Sequence, residues 1–251
     1  MDDQTSRAKR GNEVVDPIPK KRRRVEEEDE GGDMEVDGEE VTPKNEGKDD
    51  SLPLPFALVG KPAPSFTAEA AINGEIKQVS LSDHLGKWVI LFFYPLDWTF
   101  VCPTEILSFS DNSDNFNKCN TQVLGVSVDS VFSHLAWVQT SRKQGGLGDV
   151  LSIPLLADVS QNIAKLYGAM SHDNSGHTVR ATFLIDPKGV VRHLSFNDPP
   201  VGRSVEELLR LVQGFQNFEE NGEVCPAGWQ QGGQTIVPDP IKKLEYFRQQ
   251  Q

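Results

Sequence analysis

The chain has 251 residues, with 25 basic against 37 acidic side chains and a formal net charge of −12, enough length for one large domain plus tails and an acidity that argues against non-specific nucleic-acid binding. Its hydrophobic fraction of 37% is low for a chain folded throughout, no run of about 18 apolar residues is present to span a bilayer, and no secretory leader is expected from the polar, charged opening residues. Three cysteines are too few, and odd in number, for a disulfide framework, so a reducing intracellular setting is expected.

Residues 1–50 hold 10 basic and 17 acidic side chains and no aromatic residue; the first aromatic is Phe56. So charged a segment cannot bury enough apolar surface to offset its ordering entropy, and disorder is expected. Its charges fall in blocks. Lys9-Arg10, a nine-residue spacer, and the run Lys20, Lys21, Arg22, Arg23, Arg24 resemble a bipartite nuclear localisation signal. Such a signal lays two basic clusters into acidic sites of a nuclear import receptor, so the nucleus, or otherwise the cytoplasm, is the expected location. Glu26 to Asp50 is mostly acidic and glycine-rich. It would partly screen the basic run, so no direct nucleic-acid contact is expected.

From Ser51 onward the composition changes. Pro53, Pro55, Pro62 and Pro64 mark an extended lead into a folded body. Phe66–Ala71 and Glu75–Ser80 flank Asn73-Gly74, a strong hairpin signal. Trp88–Tyr94 is a continuous apolar run between Gly86 and Pro95, which predicts a strand buried on both faces. Cys102–Cys119 reads as one helix with Ile106, Phe109 and Phe116 on one face. Val123–Val128 predicts a second buried strand, Val131, Leu135 and Val138 a helix, and Ser160–Tyr167 a short helix. Ala181–Ile185 and Val190–Phe196 flank Pro187-Lys188-Gly189 and predict a hairpin. Ser204, with Glu207 three residues on, predicts a capping box for a helix bearing Val205, Leu208, Leu209, Val212 and Phe215. Pro240–Gln250 predicts a last helical arm. This order is that of an α/β thioredoxin-like sandwich with an N-terminal β-hairpin and a C-terminal arm. The expected organisation is a charged tail over 1–50, a body over 51–224, and an arm over 225–251. No metal-ligand spacing and no glycine-rich phosphate loop occurs, so neither a metal nor another cofactor is expected.

The chemistry starts where Tyr94–Ile106, YPLDWTFVCPTEI, leaves a buried strand and enters a helix. Pro103 suits a first helical turn, whose N–H groups lack intrahelical partners. Cys102 therefore sits at a helix N-terminus, where end amides and the macrodipole favour a thiolate. A disulfide reductase would carry Cys-X-X-Cys here, but Glu105 stands at the fourth position. Cys119 and Cys225 are the candidate second thiols. Cys119 lies 17 residues on, about 25 Å along an intact helix, whereas Cys225 lies in the accessible loop GEVCPAGW.

These residues resemble a known family. FYPLDWTFVCPTEI is similar to the active-site signature of typical two-cysteine peroxiredoxins, and GEVCPAGW to their resolving-cysteine segment. VRATFLIDPKG, HLAW, NDPPVGRSVEELLRL and LEYF match further blocks in the same order, over roughly residues 54–248. The resemblance implies a peroxidase acting on hydrogen peroxide and organic hydroperoxides. Cys102 would be the peroxidatic thiol, oxidised to a sulfenic acid. Pro95 would shield it, Thr99 would hydrogen-bond the peroxide, and Arg180 would stabilise charge. Glu105 and Arg203 would orient Arg180. Cys225 of the partner subunit in a homodimer would resolve the sulfenic acid, with a thioredoxin-type reductant recycling the disulfide and dimers assembling into a decamer. Cys119 would be a bystander. Gly145, Gly146, Leu147 and Gly148, with Tyr246 and Phe247, resemble the motifs of oxidation-sensitive members, whose arm packs over the active-site helix and slows its unwinding. Ala181, Pro199-Pro200 and the Ser171–His177 loop depart from the family pattern, and none is expected to touch the catalytic set. A rival reading is a histone-binding chaperone or chromatin factor working through the acidic tail.

Overall fold

The computed structural model describes residues 56–148 and 150–250. Lys9, Arg10 and the basic run at 20–24 lie outside the described residues. Thr67–Ile72 (β1) and Glu75–Ser80 (β2) form the first hairpin, turning through Asn73 and Gly74 at φ 50° and 78°. Two left-handed residues in succession make the turn whose twist matches paired strands, and Asn-Gly supplies them at low cost.

Trp88–Phe93 (β3) is buried along its whole length. It pairs in parallel with Thr121–Ser127 (β4) and antiparallel with Arg180–Ile185 (β6). Val191–Asn197 (β7) extends β6 at one edge. With Leu155–Ala157 as β5, the sheet runs β2-β1-β5-β4-β3-β6-β7. This fifth strand in chain order is absent from the sequence expectations. With three residues it is too short to show a period, yet it pairs with β4 and β1 and joins the hairpin to the central sheet.

Alternation along β3 divides the core. Val89, Leu91 and Phe93 join one apolar cluster with Tyr167 and Phe183, while Trp88, Ile90, Phe92 and Tyr94 join another with Ile106, Phe109, Trp137 and Val212. Each large apolar side chain so buried contributes roughly 1.5–3 kcal/mol. The Phe92 and Phe109 rings stack at 4.4 Å, seating the helix that begins at Cys102 on the sheet.

The expected single helix from Cys102 to Cys119 is two: Cys102–Asp111 (α1) and Ser113–Lys118 (α2). Asn112 breaks it. Its amide donates to the Ser108 carbonyl at 2.9 Å and its backbone leaves the helix at ψ 9°, an asparagine competing with the helical ladder. The next helix is Val131–Gln139 (α3), which buries Val131, His134, Trp137 and Val138; Leu135 of the expected stripe is only partly buried. Asn162–Leu166 (α4) is short. In Val205–Asn221 (α5) Ser204 caps as expected, accepting from Glu207 N at 3.1 Å. The Glu207 carboxylate does not complete the box, because Arg210 engages both its oxygens at 2.6 and 2.7 Å. Lys243–Gln249 (α6) ends the described chain.

Candidate active site

Cys102 is the first residue of α1 and 1% exposed. β3 delivers it through the loop 94–101, which is pinned rather than free. Asp97, buried, accepts from Tyr94 OH at 2.9 Å and Ser133 Oγ at 2.7 Å, and lies 2.8 Å from His134 Nδ1. Its own N–H donates to Asp129 at 2.9 Å. Trp98 then takes a left-handed φ of 58° and rests on Trp137, ring centroids 6.1 Å apart. A left-handed conformation is uncommon for a bulky residue and marks stored strain in the loop that leads to Cys102. Pro95 is buried, and the Thr99 hydroxyl donates to the Leu96 carbonyl at 2.9 Å.

Arg180, the first residue of β6, reaches across the sheet end. Its Nη1 lies 3.4 Å from Cys102 Sγ and 2.6 Å from Glu105 Oε2, while Nε donates to the Pro199 carbonyl at 2.7 Å. Glu105 stands one turn along α1 and is buried. It also accepts from Arg203 through Nε at 2.8 Å, Nη2 at 2.9 Å and the backbone N–H at 2.9 Å. Arg203 Nη1 donates to the carbonyls of Phe93 and Ala181 at 2.8 and 2.9 Å. Burial pulls the Arg203 guanidinium below its ordinary value, and the Glu105 contacts oppose that shift. Two buried guanidiniums thus share one carboxylate, which leaves a positive charge facing the sulfur.

The structure therefore brings Cys102, Glu105, Arg180 and Arg203 into one hydrogen-bonded chain, with Pro95 and Thr99 on the loop leading into it. It also corrects one expectation. Ala181 and Pro199 do touch this set, but through backbone carbonyls, a contact that any residue at those positions can supply. The Asp97–His134–Tyr94 network was missed, although Tyr94 and Asp97 lie in the FYPLDWTFVCPTEI stretch and His134 in the HLAW segment.

All three cysteines are free thiols. Cys225 lodges against α5, its thiol donating to the Gly214 carbonyl at 3.6 Å, rather than against Cys102. Cys119 follows α2, with its carbonyl bound by Gln216 Nε2 at 2.6 Å. The glycine loop is tethered: Trp137 Nε1 donates to the Gly145 carbonyl at 2.8 Å, Leu147 N donates to the Trp137 carbonyl at 3.0 Å, and Leu147 is fully buried. Tyr246 and Phe247 meet edge to face at 5.4 Å on α6. Tyr246 lines a cavity with Glu223, Thr235 and Val237, so within one chain the arm neighbours the Cys225 segment. Among the described residues no His, Cys, Asp or Glu cluster suits a metal ion, and no helix is long and apolar enough to cross a membrane.

Comparison with known proteins agrees with this geometry. The AhpC/TSA family profile matches residues 59–194, and the profile of the C-terminal domain of 1-Cys peroxiredoxin matches residues 214–243. Peroxiredoxin-4 of Bos taurus is 56% identical over 197 residues, 78% of this chain and 71% of that protein. Peroxiredoxin-2 of Bos taurus is 59% identical over 191 residues, 76% of this chain and 95% of that protein. The crystal structure of the reduced 2-Cys peroxiredoxin of Plasmodium vivax superposes with a TM-score of 0.73 at 42% identity, covering 76% of this chain and 98% of that one.

Proposed function

The chain belongs to the peroxiredoxin family and is a thiol peroxidase, an oxidoreductase of thioredoxin-dependent type, and we propose that Cys102 is its peroxidatic thiol and Cys225 its resolving thiol. The observation that carries the first assignment is the 3.4 Å contact between Arg180 Nη1 and the buried Cys102 Sγ, with Arg180 clamped by Glu105 at 2.6 Å.

The Cys102 thiolate attacks one oxygen of a hydroperoxide. The S–O bond forms, the O–O bond breaks, and the second oxygen leaves as water or an alcohol after taking a proton. Arg180 offsets the charge growing on that leaving oxygen, a fixed donor worth more in a dry site than in water. The Thr99 hydroxyl spends its hydrogen on Leu96 and so offers the peroxide an acceptor. Pro95 closes the site to solvent. Cys225 of a second copy then displaces hydroxide from the sulfenic sulfur, giving an intersubunit disulfide and water. Because Cys102 is 1% exposed, the first turn of α1 must open for this step. A thioredoxin-type protein reduces the disulfide.

The proposal extends to a homodimer assembling into a decamer, and to antioxidant defence and redox signalling in the nucleus under the basic motif of the first 50 residues. Replacing Cys102 with serine tests the core of it. Peroxide consumption is expected to vanish. On non-reducing gels a peroxide-induced dimer band is expected to need Cys102 and Cys225 but not Cys119. Unchanged turnover by Cys102→Ser would sink the assignment. A histone-binding role of the acidic tail would survive that substitution, which separates the two.

A further inference from the structure

One face of α5 holds Cys225. Arg210, Gly214, Asn217 and Asn221 recur at spacings of four, three and four residues, so they lie on a single stripe of that helix. Arg210, clamped by Glu207, donates from Nη1 to the Trp229 carbonyl at 3.3 Å and fastens the far side of the Cys225 loop. Gly214 presents the carbonyl that accepts from the Cys225 thiol at 3.6 Å. The Asn217 side-chain nitrogen lies 3.7 Å from the same sulfur. Asn221 donates its amide to Asn217 Oδ1 at 3.0 Å. That bond takes up the Asn217 oxygen, so the end of the amide facing sulfur is the donor NH2.

These two neighbours serve opposite states of the sulfur. A carbonyl accepts from a thiol and has nothing to offer an anion. An amide N–H donates more strongly as the sulfur becomes negative. Disulfide formation needs the anion, since the thiolate is the nucleophile. Beside Cys225 opens a cavity of about 480 Å³ lined by Phe215, Phe218, Val224 and Pro226, room for an incoming sulfur.

We propose that Asn217, oriented by Asn221, prepares Cys225 for disulfide formation; the idea rests on Cys225 being the resolving thiol. In the step the Cys225 thiolate attacks the Cys102 sulfenic sulfur. The S–S bond forms and the S–O bond breaks. Hydroxide leaves and combines with the proton that Cys225 shed, giving water. The oxidising equivalents are those the peroxide has already delivered. As Cys225 ionises, the Gly214 carbonyl ceases to help and the Asn217 donor takes over. Asn217 is the group in contact with the reacting atom, and Asn221 acts through it as a positioning residue.

The test uses the full chain in two formats. With Cys102→Ser in place, alkylation of Cys225 by iodoacetamide at neutral pH is followed by peptide mass spectrometry. Asn217→Asp keeps the shape but removes the donor, and is expected to slow alkylation about tenfold or more, the scale of a hydrogen bond to a charged group. Asn217→Ala should slow it several-fold and Asn221→Ala by less. In the chain with all cysteines present, the same variants should slow disulfide formation in that order while sulfenic acid formation at Cys102 keeps its rate. Asn221 is exposed on the last turn of α5, so its variant tests the idea with the fold intact. Alkylation and disulfide rates of Asn217→Asp within about twofold of the parent would overturn the proposal, as would equal slowing of the Cys102 step. A Cys225→Ser protein that still forms the disulfide would overturn the resolving role itself, while the alkylation series judges Asn217 separately.

Discussion

Arg180 is asked to do three things at once: touch the sulfur, pair with Glu105 and bind the Pro199 carbonyl. The guanidinium reaches them from two separate nitrogens, Nη1 and Nε, whereas the three donors of a lysine all sit on one. Arg180→Lys keeps the charge and loses the fork. We expect the second-order rate of Cys102 oxidation to fall by about 10²–10³-fold, the scale for removing one fixed transition-state donor. Stopped-flow tryptophan fluorescence reads this directly, and a loss below about threefold would mean that charge alone suffices. The stretch around Cys102 was legible because proline after cysteine at a strand exit is a local signal. Arg180 and Arg203, by contrast, lie 78 and 101 positions further along the chain and carry no local mark. Only their resemblance to a family pattern picked them out, and the Pro199 and Ala181 carbonyls could not be found that way, because any residue supplies a carbonyl.

At the scale of elements, the glycine loop behaves as a fitted part. Gly145 and Gly148 adopt φ of 83° and 80°, and a Cβ on Gly146 would collide with the Thr140 carbonyl. Backbone bonds from Gly146, Leu147 and Gly148 tie the loop to the end of α3, whose Trp137 also carries Trp98 of the active-site loop. Gly146→Ala should therefore destabilise the protein by about 1–3 kcal/mol, as overpacking against backbone does. It should also loosen the support under Trp98 and ease the opening of α1. A thermal melt checks the first effect. Titration of activity against peroxide checks the second, with over-oxidation of Cys102 expected to need more peroxide than in the parent. The reading of elements from sequence succeeded where period and length were sufficient, as in β3, the Asn73-Gly74 hairpin and α5. It failed at β5, whose three residues gain their meaning from pairing with β1 and β4, and at Asn112, where one side chain's hydrogen bond cuts a helix that apolar periodicity would continue.

For the whole molecule, the net charge of −12 divides into −7 over residues 1–50 and −5 over the remainder. A neutral peroxide gains little from either. The charges around Cys102 are a local, buried matter: Arg180, Arg203 and Glu105 packed with the sulfur out of solvent. We propose that the charged first 50 residues specify where the enzyme works and leave its chemistry alone. Deleting residues 1–50 is expected to leave peroxide turnover within about twofold and to move a fluorescently tagged protein out of the nucleus. Retention of the truncated protein in the nucleus would remove the basic runs as the import signal.

Pro103, which opens α1 beside the thiol, has a chemical consequence as well as a helical one. A sulfenic acid can condense with a neighbouring backbone nitrogen to give a cyclic sulfenamide, which protects the sulfur from further oxygen and remains reversible. That ring needs an N–H on the residue after the cysteine, and a proline nitrogen has none. Cys102 is denied this shelter. Under the proposed cycle an oxidised Cys102 is left with a thiol or a second molecule of peroxide as its exits, and the speed with which Cys225 arrives would decide between a reversible cycle and permanent loss.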